Sequence, residues 1–331
     1  MTETTNTTPQ NRNRTMAKNM SNNEMYDMIT DRIIKALEGD IIPWSKPWAT
    51  EGGLRCFPRS VSTGKMYNGI NTWLLGLMGY NSPWWITEGQ LTKRGGTLKA
   101  DAQPTQVVFW KFFKTEDKTT KKERTIPMLR CFEAYNIEQC NLPEAELLKL
   151  AKRLDKLAGK KVVKTDADKN ATIEVCEATI RAYLDGQSLT VSDAPSAFYR
   201  PVQDTLHMPT LDTFTTSEHY YATLFHEAVH STGHESRLNR KGITDKNGMG
   251  SPEYAREELT AELGASFLCG VTGIDTKPVT DNRDAYIKGW LKALKNDNKC
   301  IMVASGKAGK ASDYILGTSP EGDIEYTPKK K

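Results

Sequence analysis

The stretch His226-Glu227-Ala228-Val229-His230, entered through Tyr220, Tyr221, Leu224 and Phe225, decides how the rest of the chain is read. Its apolar residues recur at helical spacing, and on a helix positions i and i+4 lie one turn apart on one face. His226 and His230 can therefore present imidazole nitrogens to one ion about 2 Å from each. Zinc is the natural occupant, and another divalent ion such as Mn2+ would suit the same donors. Glu227 stands beside the pair, where it can take the proton of a water in the ion's open position as that water attacks a carbonyl, the zincin arrangement. A structural helix carrying two surface histidines would show the same five letters. Histidine usage argues for the metal: all five histidines, His207, His219, His226, His230 and His234, fall within 28 consecutive residues, and the other 303 contain none.

A catalytic zinc site takes three protein ligands and leaves one position for water. His234 continues the i, i+4, i+8 series, but eight residues of helix rise about 12 Å, more than one ion can bridge. The metzincin spacing would need histidine at position 236, which is Ser236. The third ligand is sought downstream, where Ser251 suits an N-cap, Pro252 the first helical position and Gly270 a terminator, so a helix is expected over 252–269. Glu258 and Glu262 share a face of that helix, so Glu258 can bind the ion while Glu262 hydrogen-bonds a histidine ligand. Glu262 as ligand is the rival assignment. The bland alternative makes Glu253, Glu257, Glu258 and Glu262 a solvated acidic face. His207 and His219 are expected to be structural or surface residues, and either Tyr220 or Tyr221 could polarise an oxyanion. A strand near Ala197–Tyr199, just ahead of the metal helix, could hold an extended peptide along its edge.

The wider chain adds a second theme. Its 331 residues suffice for two domains, and 38% hydrophobic with 26% charged residues describes a soluble globular protein rather than a fibre. No window approaches the roughly eighteen apolar residues of a membrane span. The net charge of +4 is too mild to announce a nucleic-acid partner until it is mapped. Six of seven tryptophans lie between Trp44 and Trp110, and residues 41–113 hold eight basic and three acidic side chains, a net +5, with twelve aromatics. Cations for phosphate and flat rings for unstacked bases are what single-stranded nucleic acid requires. The same tryptophans could equally anchor a loop-rich core. In Trp84-Trp85 adjacent side chains point apart, so at least one ring is expected at the surface.

Six scattered cysteines without a C-x-x-C pair read as thiols in a reducing compartment, and the Thr- and Asn-rich first 22 residues lack an apolar signal core. A cytoplasmic protein with a disordered leader is expected. Helical spacing begins at Met25 and closes at Gly39, Gln106–Phe113 reads as a buried strand, Thr115–Thr125 as a surface hairpin or loop, and strand character returns at Leu129–Asn136. These elements predict an α+β chain divided into a leader (1–22), a small α+β domain (23–145), a charged linker or helix (146–169) and a mostly helical domain with a small sheet (170–331).

Several stretches then carry a family resemblance. TDRIIKALEGDIIPWSKPW, TGKMYNGIN, SPWWITEGQ, GGTLK, VVFWK and YNIEQC resemble the N-terminal domain of ArdC-type antirestriction proteins of conjugative plasmids and phages. AFYRP, DTLHMP, HEAVHSTGHESRL and EELTAELGASFL are similar to the zincin-like metallopeptidase domain that follows it. The resemblance runs in order from about residue 25 to 317. It implies a domain that binds single-stranded DNA, a zinc peptidase fold, and protection of incoming DNA from host restriction. A host protein bound at or near DNA is a candidate peptide substrate, and with no span-length apolar window no membrane partner is expected. Ala228-Val229 and the segment 141–170 depart from the family pattern without touching a ligand. The candidates for DNA contact are Trp44, Lys46, Trp48, Arg59, Lys65, Tyr67 and Asn71. Two other readings stay open: shielding of DNA by occupancy with an idle metal site, and a protease, dependent on single-stranded DNA, that acts on DNA-bound proteins.

Overall fold

The computed structural model describes residues 20–45, 57–116, 123–158, 171–187, 189–244, 251–274 and 283–318. The fold is α+β, as the sequence predicts. Helix α1 (Asn22–Glu38) starts at Ser21, whose hydroxyl and backbone exchange hydrogen bonds with Glu24, and it buries Met25, Ile29, Ile33 and Leu37 on one face. A sheet follows in the order β1-β2-β5-β4, formed by Arg59–Ser60, Trp84–Ile86, Glu123–Asn136 and Thr105–Glu116 respectively. Strands β4 and β5 form a long antiparallel hairpin, with β4 at the sheet edge. Helix α2 (Ile70–Gly76) packs on this sheet, and α3 (Glu88–Lys93), capped by Thr87, leads into the pair β3 (Thr97–Leu98) and β6 (Cys140–Asn141). Helix α4 (Glu144–Ala158) closes this part of the chain.

The C-terminal half begins with α5 (Glu174–Gln187) and a three-stranded sheet in which β7 (Thr190–Asp193) runs parallel to the central β9 (Thr205–Met208), while β8 (Phe198–Arg200) pairs antiparallel as an edge. Five helices complete it: α6 (Ser217–Ser231), α7 (Lys241–Thr244), α8 (Pro252–Thr272), α9 (Arg283–Asn296) and α10 (Cys300–Leu316). Among the described residues no helix is long and apolar enough to cross a membrane.

Two departures from the expected elements have clear causes. Helix α8 passes Gly270 and ends at Gly273, which adopts the left-handed conformation at φ 77°. Gly270 lacks a side chain because the Phe57 ring lies on it: a β-carbon there would stand 2.2 Å from that ring. Strand β4 is also longer than predicted and only partly buried, since Val107 and Val108 are covered while Phe109 is 46% exposed. Phe109 shares its sheet face with Phe132 of the inner strand β5, 48% exposed, so among the described residues that face is uncovered there.

The largest core joins both halves of the sequence. Trp44, Phe57 and Trp73 share it with Leu259, Leu263, Phe267, Trp290 and Leu294, so α1 and α2 rest against α8, α9 and α10. Trp44 meets Trp290 edge-on at 5.1 Å between centroids, and Phe57 stacks on Phe267 at 4.9 Å. Packing thus crosses the division expected at 146–169, of which 159–169 lie outside the described residues. A second core around Tyr221, Leu224, Phe225, Ala228 and Val229 buries the apolar side of α6 against α8 and α5.

Candidate metal centre

Helix α6 begins where Thr216 accepts a hydrogen bond from the His219 backbone and ends at Thr232, so Gly233 and His234 lie beyond its last turn. Against it packs α8. The approach is close at one point, where a β-carbon on Gly264 would stand 2.8 Å from the Val229 side chain. That contact brings the acidic face of α8 opposite His226 and His230.

The resulting geometry is compact. Nε2 of His226 lies 3.1 Å from Nε2 of His230. The two carboxylate oxygens of Glu258 face these nitrogens separately, Oε2 at 3.6 Å from His226 and Oε1 at 3.5 Å from His230. A tetrahedral ion with bonds of about 2.0–2.1 Å spaces its ligands by roughly 3.3–3.4 Å, so the three edges fit a small divalent cation. Among the described residues this is the one group of three or more His, Cys, Asp or Glu side chains with donors so convergent. Glu262 stands behind His226, 3.6 Å from its Nδ1. The structure thus places Glu258 with the histidines' Nε2 atoms and Glu262 on the far edge of one ring.

His230 has a corresponding support that the sequence reading missed. Its Nδ1 faces Oε1 of Glu257 at 3.4 Å, and Glu257 is 3% exposed, not part of a solvated acidic face. Glu257 is held by Arg240, whose Nε and terminal nitrogen donate to its carboxylate at 2.6–3.1 Å. The same guanidinium donates to Thr232 Oγ1 at 2.6 Å and to the Val229 carbonyl at 2.7 Å, satisfying the C-terminal end of α6. Buried charge with a complete set of partners was the only signal for this pair, and it is visible only in three dimensions.

Electrostatics follow from this geometry. Burial would lower both histidines, but the facing carboxylates outweigh it, Glu258 first at His226 and Glu257 with Glu258 at His230, and both are raised. Burial would raise Glu258, yet its contacts with the two histidines hold it well below the ordinary carboxylate range. Burial pushes Glu262 up. Glu227 is 8% exposed, and its charge acts on both imidazoles.

The remaining candidates divide. His234 turns away, with Nδ1 2.8 Å from Ser236 Oγ, and His207 stacks on Phe198 at 4.4 Å. His219 sits 3.3 Å from Thr215 Oγ1, outside the ligand group. Tyr221 is buried and donates to Glu177 at 2.8 Å, while Tyr220 is half-buried among Phe214 and Tyr221. The edge strand β8 is tied to the end of α6 by Arg237, which donates to Asp204 at 2.9 Å and to the Ser231 carbonyl at 2.7 Å, while Tyr199 donates to Asp204 at 2.6 Å.

In the N-terminal half, several candidates for DNA contact prove internal. Trp44 is 2% exposed and fills the shared core, so no base can reach its face. Asn71, 5% exposed, grips the backbone of Val108 through both amide atoms at 2.7 and 2.8 Å, closing the edge of β4 at its root. Trp84 and Trp85 are both buried, because β2 is an inner strand with a separate apolar cluster on each side. Arg59 is half-buried and donates to the Gly64 carbonyl at 2.9 Å, Lys65 is exposed, and Tyr67 is half-buried. Lys46 and Trp48 lie outside the described residues.

A helix bearing His-Glu-x-x-His, a carboxylate facing both histidines from the next long helix and a small sheet alongside define a zincin-like metallopeptidase fold. Comparison with known proteins agrees: residues 176–307 match the zincin-like metallopeptidase family, and residues 23–135 match the N-terminal domain of the anti-restriction factor ArdC. The metal-free crystal structure of the antirestriction ArdC protein from the R388 plasmid is 33% identical with a TM-score of 0.68, covering 88% of this chain and 96% of that one. Its Mn(II)-bound form is 32% identical with a TM-score of 0.67, covering 90% and 99%. The chain belongs to the ArdC family. Among curated relatives, a DNA primase TraC of Escherichia coli is 29% identical over 292 residues, which are 88% of this chain and 27% of that protein. The uncharacterized protein y4eC of Sinorhizobium fredii is 28% identical over 316 residues, 88% of this chain and 91% of that protein. The chain therefore spans about a quarter of the length of that primase.

Proposed function

We propose that this chain is an antirestriction protein that binds single-stranded DNA through its N-terminal part and carries a metal-dependent peptidase site, protecting incoming plasmid or phage DNA from host restriction. The observation that carries the peptidase half is the convergence of His226, His230 and Glu258 within 4.8 Å, with Glu227 buried beside them. His226, His230 and Glu258 would hold zinc, or Mn2+ as the R388 relative does in its Mn(II)-bound form. Such an ion supplies a Lewis acid that polarises a peptide carbonyl and acidifies water. Glu227 takes the proton from the attacking water and passes it to the leaving amine. Glu257 and Glu262 orient the two imidazoles, and β8, fixed by Arg237 and Asp204, offers a strand edge that is unpaired among the described residues to an extended peptide. A host protein at or near DNA suits a site of this kind.

The test is plasmid transfer into restricting and non-restricting recipients with the wild-type chain and Glu227→Gln, metal content being measured on both purified proteins. Loss of protection with metal retained supports hydrolysis. Unchanged protection would leave occupancy of DNA as the function.

A further inference from the structure

Among all described aromatic side chains, two are exposed: Phe109 at 46% and Phe132 at 48%. They lie together on the β4–β5 hairpin, edge to face with centroids 5.7 Å apart, and Tyr67 extends the group 6.4 Å from Phe109. Soluble proteins rarely leave adjoining rings in water without a use for them.

The pairing register adds charge to this aromatic face. Pairing runs without a bulge from Thr105↔Ala134 to Glu116↔Glu123, so alternate positions fall into two sets. One set contains Val108 and Leu129, both buried in the main core, together with the hairpin strands' three acids, Glu116, Glu123 and Glu133. The other contains Phe109 and Phe132 together with the positions of Lys111, Arg124 and Arg130, and no acid. Arg130, itself exposed, is the direct cross-strand partner of Phe109.

We infer that this hairpin face is a stacking platform for single-stranded DNA, with bases on Phe109 and Phe132 and a phosphate on Arg130. The chemistry selects that partner: rings accept any unstacked base, and cations with no acid among them suit a polyanion. A duplex hides its base faces and would gain only the charge. The inference rests on the reading that the N-terminal part binds single strands, and places that binding on a face distinct from the buried Trp44 and Asn71.

The experiment uses the full-length chain and a fluorescein-labelled oligothymidylate in an anisotropy titration across salt concentrations. F109L/F132L keeps apolar volume but removes the rings, and F109Y/F132Y keeps them. The leucine pair should bind about tenfold or more weakly with an unchanged melting temperature, and the tyrosine pair close to wild type. Arg130→Ala should weaken binding and flatten the salt dependence. If wild type binds and the leucine pair binds equally well, the platform is wrong while the single-strand reading stands. If wild type does not bind, that reading falls and the platform with it. If the leucine pair instead dissociates a dimer in sedimentation with no effect on DNA, the face is a contact between copies and the inference is overturned.

Discussion

Nδ1 of His230 stands 3.4 Å from Glu257, while Nε2 of the same ring points to Glu258, so one imidazole is held between two consecutive glutamates of α8. In the proposed centre the two carboxylates have different work: Glu258 would complete the ligand group, and Glu257 would fix ring orientation through a charge anchored by Arg240. Replacing such a supporting carboxylate typically weakens metal binding by about 10–100-fold. Glu257→Gln should do so in a competition titration with a zinc chelator, while the chain stays folded. Arg240→Ala should be worse, costing about 3–5 kcal/mol of stability in denaturant melts because Glu257 would keep an uncompensated buried charge. Equal zinc affinity in Glu257→Gln would show that His230 needs no such support.

The helix pair that makes the site depends on Gly264. Val229 occupies the space a side chain would need there, so Gly264→Val should push α8 away from α6. Overpacking of this kind costs about 1–3 kcal/mol. The expected result is a lower melting temperature together with weakened metal binding, whereas Gly289→Ala, inside α9 where an added β-carbon meets nothing within 4 Å, should leave metal binding unchanged and raise the melting temperature slightly.

Acid should loosen the tie between β8 and α6. Burial would raise the Asp204 carboxyl, but hydrogen bonds from Arg237 and Tyr199 outweigh it and hold it below its ordinary value. A group lowered on folding stabilises fully above its unfolded value and loses that contribution as pH falls through the folded one. Melts of the wild type and Asp204→Asn should therefore differ most near neutrality and converge as pH drops below about 4. A difference that is constant with pH would remove the ion pair from the explanation.

The shared core has a consequence for dissection. Trp44, Phe57 and Trp73 lean on α8 and α9, so Trp290→Ala should cost about 3–5 kcal/mol and lower the unfolding midpoint of both halves together. Two separated transitions in urea, with only the later one shifted, would mean the halves fold independently.

Much of the candidate site's geometry was legible in the sequence because its logic is local. His226 and His230 share a helix face by spacing alone, and Ser251-Pro252 announces the start of α8. Glu258 and Glu262 follow from the same periodicity. Glu257 was not legible, since its neighbour Glu258 faces the two histidines and only the loop that delivers Arg240 shows why the adjacent position is buried. The tryptophans misled for a related reason. Trp84 and Trp85 point to opposite sides, as a strand requires, but β2 is covered on both. Burial of that kind is set by which strands flank it, and no local pattern records it.

The most direct measurement compares zinc retained after desalting by the wild type, Glu258→Gln and Glu262→Gln. The wild type and Glu262→Gln are expected to keep the ion, the latter more weakly, while Glu258→Gln loses it. Retention by Glu258→Gln as firm as wild type, or a wild-type chain that emerges without metal, would contradict the centre described for His226, His230 and Glu258.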